Sequence, residues 1–261
     1  MFDYTGKVVA VTGASSGLGR QMAEGYAEQG ANLILLARRV ERLEASAKEL
    51  SEKYGVEVLP VGCDVTDEAA IDAAIAAADE KFGHVEVLMN CAGGEKGTGT
   101  KLVDFDRGDW DFTMNLDLTS VFTMTKKLAG YMQKNIEAGK QAYGRIINIA
   151  SIYGIVGNTA IPTIAYHASK GAVVNFTRGA AAELAPAGIT VNAICPGYFY
   201  TELTTETLDT EYFQQFAKNT VPMQRYGNGG ELNPAAVFLG SEEASYVTGQ
   251  IIAVDGGYTC V

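Results

Sequence analysis

A glycine-rich stretch, TGASSGLG at residues 12–19, decides the fold because of its place in the chain. It directly follows the apolar run Lys7–Thr12, which predicts a strand, and it opens a helical pattern over Leu18–Gln29. Glycines at this junction permit a tight turn and close approach of the backbone to a pyrophosphate, whose charge the N–H groups of the helix attract. A plain structural turn is the alternative. We predict that a dinucleotide is bound by Gly13, Ser15, Ser16, Gly17, Leu18 and Gly19.

Short β-branched runs alternate with longer helical patterns along the rest of the chain. Near-continuous apolar strands indicate a parallel sheet with both faces covered, and the alternation indicates right-handed βαβ units. We therefore predict an α/β, doubly wound, Rossmann-type sheet of seven mostly parallel strands in a single domain over 1–261, with a small lid at about 198–228. The strands are predicted at Lys7–Thr12, Asn32–Ala37, Val56–Val61, Val85–Asn90, Gly144–Ile149, Ile189–Ile194 and Gln250–Val254. The later helices are predicted at Glu41–Tyr54, Glu68–Phe82, Asp109–Asn135 and Tyr166–Leu184.

The bulk composition excludes several classes of protein. A net charge of −11 disfavours unspecific binding to nucleic acid or anionic lipid, and no apolar run approaches the length of a membrane span. The first strand pattern begins by Lys7, which leaves no room for a signal peptide, so we expect a cytoplasmic protein. Four scattered cysteines without a CxxC pair predict buried free thiols rather than a metal site or disulfides.

The end of the second predicted strand indicates which dinucleotide is bound. NAD-binding folds place Asp or Glu about 20 residues after the loop, on the ribose 2′-hydroxyl. This chain has Ala37, Arg38 and Arg39 there instead. Guanidinium groups bind a 2′-phosphate bidentately, so we predict NADP, with Arg38 making the main contact and Arg39 assisting or stacking on adenine. Solvated arginines that pair with nearby glutamates are the alternative.

Two further strand ends supply candidate cofactor residues. Asp64 and Val65 follow the third strand, where a carboxylate accepts a hydrogen bond from the adenine amino group. A turn or helix-capping aspartate is the alternative, although the segment 66–68 caps the next helix without it. Small residues after the fourth strand let it approach the cofactor ribose, which adds Asn90, Ala92 and Gly93.

A tyrosine and a lysine one helical turn apart suggest acid–base chemistry. Tyr166 and Lys170 share a helix face, and a nearby ammonium group favours the phenolate and lowers the pKa of a tyrosine. Such a phenol exchanges a proton with an alcohol near neutral pH. Ser151 ends the preceding strand at the carboxyl edge and is placed to donate a hydrogen bond to the substrate oxygen. Asn115, polar among apolar neighbours, is predicted to hold a proton-relaying water; a buried Asn bonded to backbone is the alternative.

Together these motifs resemble the short-chain dehydrogenase/reductase family, nearly end to end and in order. TGASSGLG resembles its cofactor loop, NCAG its fourth-strand signature, and VDGG its closing strand. The resemblance implies a catalytic tetrad of Asn115, Ser151, Tyr166 and Lys170, with Lys170 also binding the nicotinamide ribose. It places Pro196, Gly197 and Thr201 beside the nicotinamide, and it implies a homotetramer or homodimer built partly on the two long helices. Two departures are Cys91, where the family often has Asn, and a wide Ser151–Tyr166 gap whose segment Asn158–Thr163 is predicted to loop over the site.

The substrate is less well indicated. The lid is rich in aromatic side chains, which favours an apolar or amphipathic substrate unless they merely pack the lid on the sheet. PGYFYTELT and PAAVFLGSEEASYVTGQ resemble the gluconate 5-dehydrogenase subgroup, but a sugar acid needs a cation, and only the loop residues Lys96 and Lys101 are candidates. A hydroxysteroid, a sugar acid or polyol, and a 3-oxoacyl thioester stay open as substrates. A non-catalytic NADP sensor and a methyltransferase are disfavoured by the complete Tyr–Lys set and by the arginine pair.

Overall fold

The computed structural model describes residues 2–157, 161–202 and 204–261. Within them, seven strands form one sheet in the order β3-β2-β1-β4-β5-β6-β7, and each described pairing is parallel. The prediction of a doubly wound, Rossmann-type sheet is therefore confirmed. The strands are β1 (Val8–Thr12), β2 (Asn32–Ala37), β3 (Val58–Gly62), β4 (Val87–Asn90), β5 (Gly144–Ile149), β6 (Ile189–Pro196) and β7 (Ile251–Val254).

Helices connect the strands and cover the sheet. Those before β5 are α1 (Gly17–Ala27), α2 (Val40–Tyr54), α3 (Glu68–Phe82), α4 (Arg107–Met114) and α5 (Ser120–Glu137). Those after β5 are α6 (Ile164–Leu184), α7 (Thr205–Leu208), α8 (Glu211–Thr220) and α9 (Asn233–Gly240). Among the described residues, none of these helices combines the length and the apolar character that a membrane span requires.

Two apolar cores hold the sheet rigid, one on each face. Alternate side chains of a strand point to opposite faces, so Val9 and Val11 of β1 pack with Met22 and Tyr26 of α1, whereas Val8 packs into the other core. The second core includes side chains of α3, α5 and α6, such as Ile71, Met124, Leu128 and Ala181. Burying each large apolar side chain contributes roughly 1.5–3 kcal/mol to the free energy of folding. The two cores therefore hold the strand ends in fixed positions.

The structure differs from the sequence prediction at three places. The helix predicted over Asp109–Asn135 is divided into α4 and α5 by a π-helical turn at Asn115–Thr119. Helix α9, which is apolar after its first residue Asn233, was not predicted. All four cysteines are free thiols, but Cys260 is exposed rather than buried.

Candidate active site

The carboxyl ends of β1 and β4 lie side by side where the strand order reverses, which is where open α/β sheets bind their ligands. Thr12 at the end of β1 ties this edge together. Its buried Oγ1 accepts hydrogen bonds from the backbone N–H groups of Cys91 (2.9 Å) and Ala92 (3.0 Å). The segment after β4 is thereby held against the glycine-rich loop.

The glycine-rich loop has the close packing that the sequence predicted. A Cβ on Gly13 would lie 2.9 Å from the Cα of Ala92, and a Cβ on Gly19 only 2.6 Å from the carbonyl oxygen of Gly13. Helix α1 begins at Gly17, and its N-cap residue Ser16 makes no side-chain capping bond. The N–H groups of the first turn, with Leu18 at its second position, are thus left without a side-chain cap and favour a phosphate group.

The two arginines after β2 have different surroundings. The Arg39 guanidinium donates hydrogen bonds to the loop hydroxyls of Ser15 (3.0 Å) and Ser16 (2.6 Å). Arg38, which is exposed like Arg39, lies on the side of Asp64. The carboxyl pKa of Asp64 is lowered mainly by hydrogen bonds from Thr66 and also by the charge of Arg38. The structure therefore brings Arg39, rather than Arg38, to the dinucleotide loop.

Asp64 stabilises the turn after β3, which was the alternative to adenine binding in the sequence analysis. Its Oδ1 accepts hydrogen bonds from the backbone N–H (3.0 Å) and the hydroxyl (2.7 Å) of Thr66. The N-cap of α3 is instead Asp67, which accepts from the N–H of Ala69 at 2.9 Å. Both Thr66 bonds use the same oxygen of Asp64, while Val65 beside it is buried in the core.

Asn90 at the end of β4 is one member of a buried polar chain. Its amide donates to Thr125 Oγ1 (3.0 Å) and to Asn148 Oδ1 (2.9 Å), and the Asn148 amide donates to Thr177 Oγ1 (3.0 Å). Asn90 Oδ1 is buried and has no hydrogen-bond partner among the described residues. These two bonds fix the orientation of the Asn90 amide at the carboxyl edge of the sheet.

Gly93 leaves space in front of two charged groups. A Cβ at this position would lie 3.1 Å from Asp117 Oδ1 and 3.3 Å from Lys170 Nζ. Any other residue here would therefore crowd the ammonium group from the side of the glycine-rich loop. The requirement for small residues after β4 thus has a steric cause.

Tyr166, Lys170 and Ser151 come together at this same edge. Tyr166 lies in the first turn of α6, and Lys170 follows one turn later with its Nζ 5.5 Å from the centre of the Tyr166 ring. Lys170 is buried and donates a hydrogen bond to the carbonyl of Ile149 at 3.2 Å. Ser151, also buried, accepts a hydrogen bond from the N–H of Tyr153 at 3.1 Å and lies beside the Tyr166 phenol.

The pKa of Tyr166 reflects opposing effects. Burial raises the pKa of the phenol above its ordinary value, and this outweighs the Lys170 ammonium and the Ser151 hydroxyl, which both lower it. The sequence correctly indicates the direction of the Lys170 effect but misses the larger desolvation. Burial also lowers the pKa of Lys170, but the charge of Asp117 and the phenol of Tyr166 outweigh it, so the pKa of Lys170 is raised and the side chain stays protonated.

The predicted role of Asn115 is wrong in this structure. Asn115 is exposed, whereas Asp117, two residues later, is fully buried with its Oδ2 3.3 Å from Lys170 Nζ. Asp117 Oδ1 accepts a hydrogen bond from the N–H of Gly94 at 2.7 Å. The cause is the π-helical turn at Asn115–Thr119, which directs Asp117 into the site; such turns are frequent at functional sites.

Comparison with known proteins identifies the family. Residues 13–259 match a family model described as enoyl-(acyl carrier protein) reductase. The chain is 37% identical to gluconate 5-dehydrogenase of Gluconobacter oxydans over 99% of its length and 97% of that protein. It is 36% identical to a 3-oxoacyl-[acyl-carrier-protein] reductase of Aquifex aeolicus over 97% of both proteins. The structure of an L-sorbose reductase from Gluconobacter frateurii, complexed with NADPH and L-sorbose, superposes with a TM-score of 0.88 at 31% identity, covering 100% of this chain and 99% of that one.

The chain belongs to the short-chain dehydrogenase/reductase family. It is therefore a nicotinamide-dependent oxidoreductase that acts on alcohols and ketones. The three relatives act on different kinds of molecule by name, so membership of the family leaves the substrate open.

The segment after β6 lies near the glycine-rich loop, in keeping with the placement that the family resemblance implied. The N–H of Gly197 donates to the carbonyl of Val254 at 2.9 Å, which fixes the turn after Pro196. The methyl group of Thr201 lies 3.9 Å from the position of a Cβ on Gly17. Thr201 thus lies close to the start of α1.

The aromatic lid packs largely against itself. The ring of Tyr198 contacts Phe216 (5.8 Å between centroids) and Tyr226 (5.6 Å), and Leu208 and Val221 join the same small core. This arrangement favours the packing alternative for these side chains. Leu203 of the lid and the residues 158–160 of the predicted overhanging segment Asn158–Thr163 lie outside the described residues.

Sequence reasoning missed Glu95 and Tyr153 and gave no role to His167. Tyr153 follows Ser151 and shares a hydroxyl hydrogen bond with Tyr198. The His167 ring stacks on Tyr153 at 4.7 Å and 17° between planes. Glu95 was detectable only as an acidic residue directly after the small residues that follow β4.

Proposed function

We propose that this protein is an NADP(H)-dependent dehydrogenase/reductase that interconverts a secondary alcohol and a ketone on a small hydroxylated substrate. One observation carries the proposal. Tyr166, Ser151 and buried Lys170 meet at the carboxyl edge of the sheet, next to a glycine-rich loop that Arg39 covers.

The residues present fit an NADP molecule. The N–H groups at the start of α1 suit the pyrophosphate, and the hydroxyls of Ser15 and Ser16 with Arg39 form a donor group for a 2′-phosphate, which Arg38 assists. The adenine end is assigned to Asp64 and Val65. The ribose and nicotinamide are assigned to Asn90, Ala92, Gly93, Tyr166, Lys170, Pro196, Gly197 and Thr201. When bound, the nicotinamide donates or accepts a hydride at its C4 atom.

The side chains of the site supply the proton chemistry. Ser151 Oγ accepts the N–H of Tyr153, which leaves its O–H to donate, to the Tyr166 oxygen beside it or to a substrate oxygen that takes its place. In ketone reduction, the Tyr166 hydroxyl donates its proton to that oxygen; in alcohol oxidation, the Tyr166 phenolate accepts the proton. The ammonium group of Lys170 stabilises the phenolate, and Asp117 keeps Lys170 charged despite its burial. Asp117 thus takes the supporting position that the sequence assigned to Asn115.

A sugar-like substrate is favoured over a hydroxysteroid. The lid rings that suggested an apolar ligand pack against one another. Lys96, one of the two cations considered for a sugar acid, is exposed with its Nζ 4.4 Å from the centre of the Phe112 ring. The first contacts weaken the case for an apolar ligand, and the second weakens the case for a bound carboxylate. We therefore propose a substrate that is recognised through its hydroxyl groups.

The assembly is proposed to be a cytoplasmic homotetramer or homodimer built partly on α5 and α6. Phe122 of α5 is 49% exposed and packs edge-on against Phe176 of α6, which leaves an apolar area on the two long helices. Four free thiols are consistent with a reducing compartment. Analytical ultracentrifugation tests the assembly, and a monomer at micromolar concentration would contradict it.

A panel of carbonyl compounds tests the function. A ketohexose, a ketogluconate, a ketosteroid and a 3-oxoacyl thioester are each incubated with NADPH and with NADH, and loss of cofactor absorbance is followed. We expect turnover of a sugar-like ketone, faster with NADPH than with NADH. Turnover of the ketosteroid or thioester alone would overturn the substrate class, and preference for NADH would overturn the cofactor assignment.

A further inference from the structure

Two polar atoms near Tyr166 are buried without a hydrogen-bond partner among the described residues. They are Oε2 of Glu95, in the segment after β4, and Nε2 of His167, in the first turn of α6. An unsatisfied buried polar atom is costly and uncommon in native proteins, so each such atom requires an explanation. Water satisfies such atoms when a site is empty, and a substrate group that reproduces the bond replaces the water.

The contacts of His167 show which ring nitrogen donates a hydrogen bond. Its Nδ1 lies 2.8 Å from the carbonyl oxygen of Thr163, which only accepts hydrogen bonds. Nδ1 therefore carries a proton, which makes Nε2 the acceptor of the ring in its neutral form. Stacking on Tyr153 fixes the plane of the ring, so the direction of this acceptor is fixed as well.

Glu95 faces the same site from the opposite segment. Burial raises the pKa of its carboxyl group by more than a hydrogen bond with Thr98 lowers it, and Asp117, His167 and Lys170 lie close enough to influence it. Asp117, Lys170 and Glu95 also influence the phenol of Tyr166, which places Glu95 close to the same group of residues. The two segments also contact each other directly, because the N–H of Gly99 donates to the carbonyl of Pro162 at 2.8 Å.

The chemistry of this pair selects a class of substrate. A carboxylate oxygen and an imidazole nitrogen both accept hydrogen bonds, so their complement is a group of hydroxyl donors. A sugar acid instead brings a carboxylate, which has no proton to donate and is repelled by Glu95.

The described cations do not offset that repulsion. Lys170 is engaged by Asp117 at 3.3 Å, and Arg225 of the lid is paired with Glu231 at 2.7 Å. Lys96 extends over the Phe112 ring. In the part of the chain that the structure describes, Glu95 is in no ion pair, and these three cations have other partners than a substrate carboxylate.

We propose that Glu95 and His167 form a hydroxyl-binding subsite that makes this protein selective for neutral polyols and ketoses over sugar acids. The inference rests on the proposed function and narrows it. It assigns specificity to two residues that take no part in the proton transfer itself.

Paired substrates test the subsite. We compare a ketohexose, a ketogluconate and cyclohexanone, a ketone without hydroxyl groups, with wild type, Glu95→Gln and His167→Phe; the Phe ring keeps the stacking on Tyr153. Glu80→Gln, which changes an exposed carboxylate on α3, is the matched control. Wild type should prefer the ketohexose to the ketogluconate. Each subsite variant should raise KM for the ketohexose about tenfold or more while KM for cyclohexanone stays the same, and Glu95→Gln should narrow the preference for the ketohexose over the ketogluconate.

Three results overturn the subsite: wild-type preference for the ketogluconate, an unchanged KM for the ketohexose in Glu95→Gln, or a rise in KM for cyclohexanone equal to that for the ketohexose. A binding readout separates this failure from failure of the proposed function. The rise in Tm that a polyol causes in the presence of NADPH should shrink in Glu95→Gln and not in Glu80→Gln. Absence of turnover with all three ketones in wild type contradicts the proposed function, whereas an equal Tm rise in both variants contradicts the subsite.

Discussion

The cofactor side and the substrate side of the crevice are built in different ways. On the cofactor side, the loop at residues 12–19 contributes backbone N–H groups and close glycine contacts within one short segment. On the substrate side, Glu95, Asp117, Ser151 and His167 come from four separate segments that only the fold brings together. Backbone recognition is local and is therefore encoded in a short motif, whereas side-chain recognition depends on tertiary placement. Selectivity for the substrate can thus change while the cofactor loop stays the same.

The largest expected effect is a loss of turnover on the substrate side while cofactor binding on the other side is retained. Tyr166→Phe removes the proton donor and should lower kcat about 10²–10⁴-fold, because that is the usual contribution of a positioned general acid or base. NADPH binding, followed by quenching of protein fluorescence, should persist because the loop is untouched. Tyr246→Phe, at a fully exposed tyrosine, is the control. Retained turnover in Tyr166→Phe would remove the phenol from the mechanism.

The second prediction concerns the cofactor side alone. Arg39→Ala should raise KM for NADPH about 10–100-fold, since a hydrogen bond to a charged group contributes about 1.5–3 kcal/mol, and should leave KM for NADH nearly unchanged. Arg38→Ala should have the smaller effect, because Arg39 is the one that contacts Ser15 and Ser16. Arg107→Ala, at an exposed residue of α4, serves as the control. A larger loss in Arg38→Ala would restore the assignment made from sequence.

The smallest effect is a shift in pH dependence on the substrate side. The negative charge of Asp117 favours the protonated phenol and so raises the pKa of Tyr166; Asp117→Asn removes that charge and, with Lys170 still protonated, should lower the pKa. Because oxidation requires the phenolate, the rise of kcat/KM for alcohol oxidation should move to lower pH. Asp104→Asn, at an exposed carboxyl group, should leave the profile in place. An unchanged or alkaline-shifted profile in Asp117→Asn would contradict this role.

Sequence reasoning reached the sheet, the dinucleotide loop and the positions of Ser151, Tyr166 and Lys170. It chose Asn115 as a polar residue among apolar neighbours and gave Asp117 no role, because a regular helix directs residues two positions apart to different faces and a π-helical turn leaves no pattern in the apolar spacing. It also ranked Arg38 above Arg39, because the order of side chains after a strand does not show which one folds back over the loop. Glu95 and His167 were missed as a pair because the contact between their segments is tertiary.

Transfer of a labelled hydride tests the whole crevice most directly. NADPH carrying deuterium at nicotinamide C4, in each of its two stereochemical forms, is used to reduce a ketohexose, and the polyol product is analysed by mass spectrometry. If the crevice aligns the nicotinamide with a substrate carbonyl held by Ser151 and Tyr166, one of the two forms must deliver its deuterium to the product carbinol carbon. Product without deuterium from either form would contradict direct hydride transfer at this site.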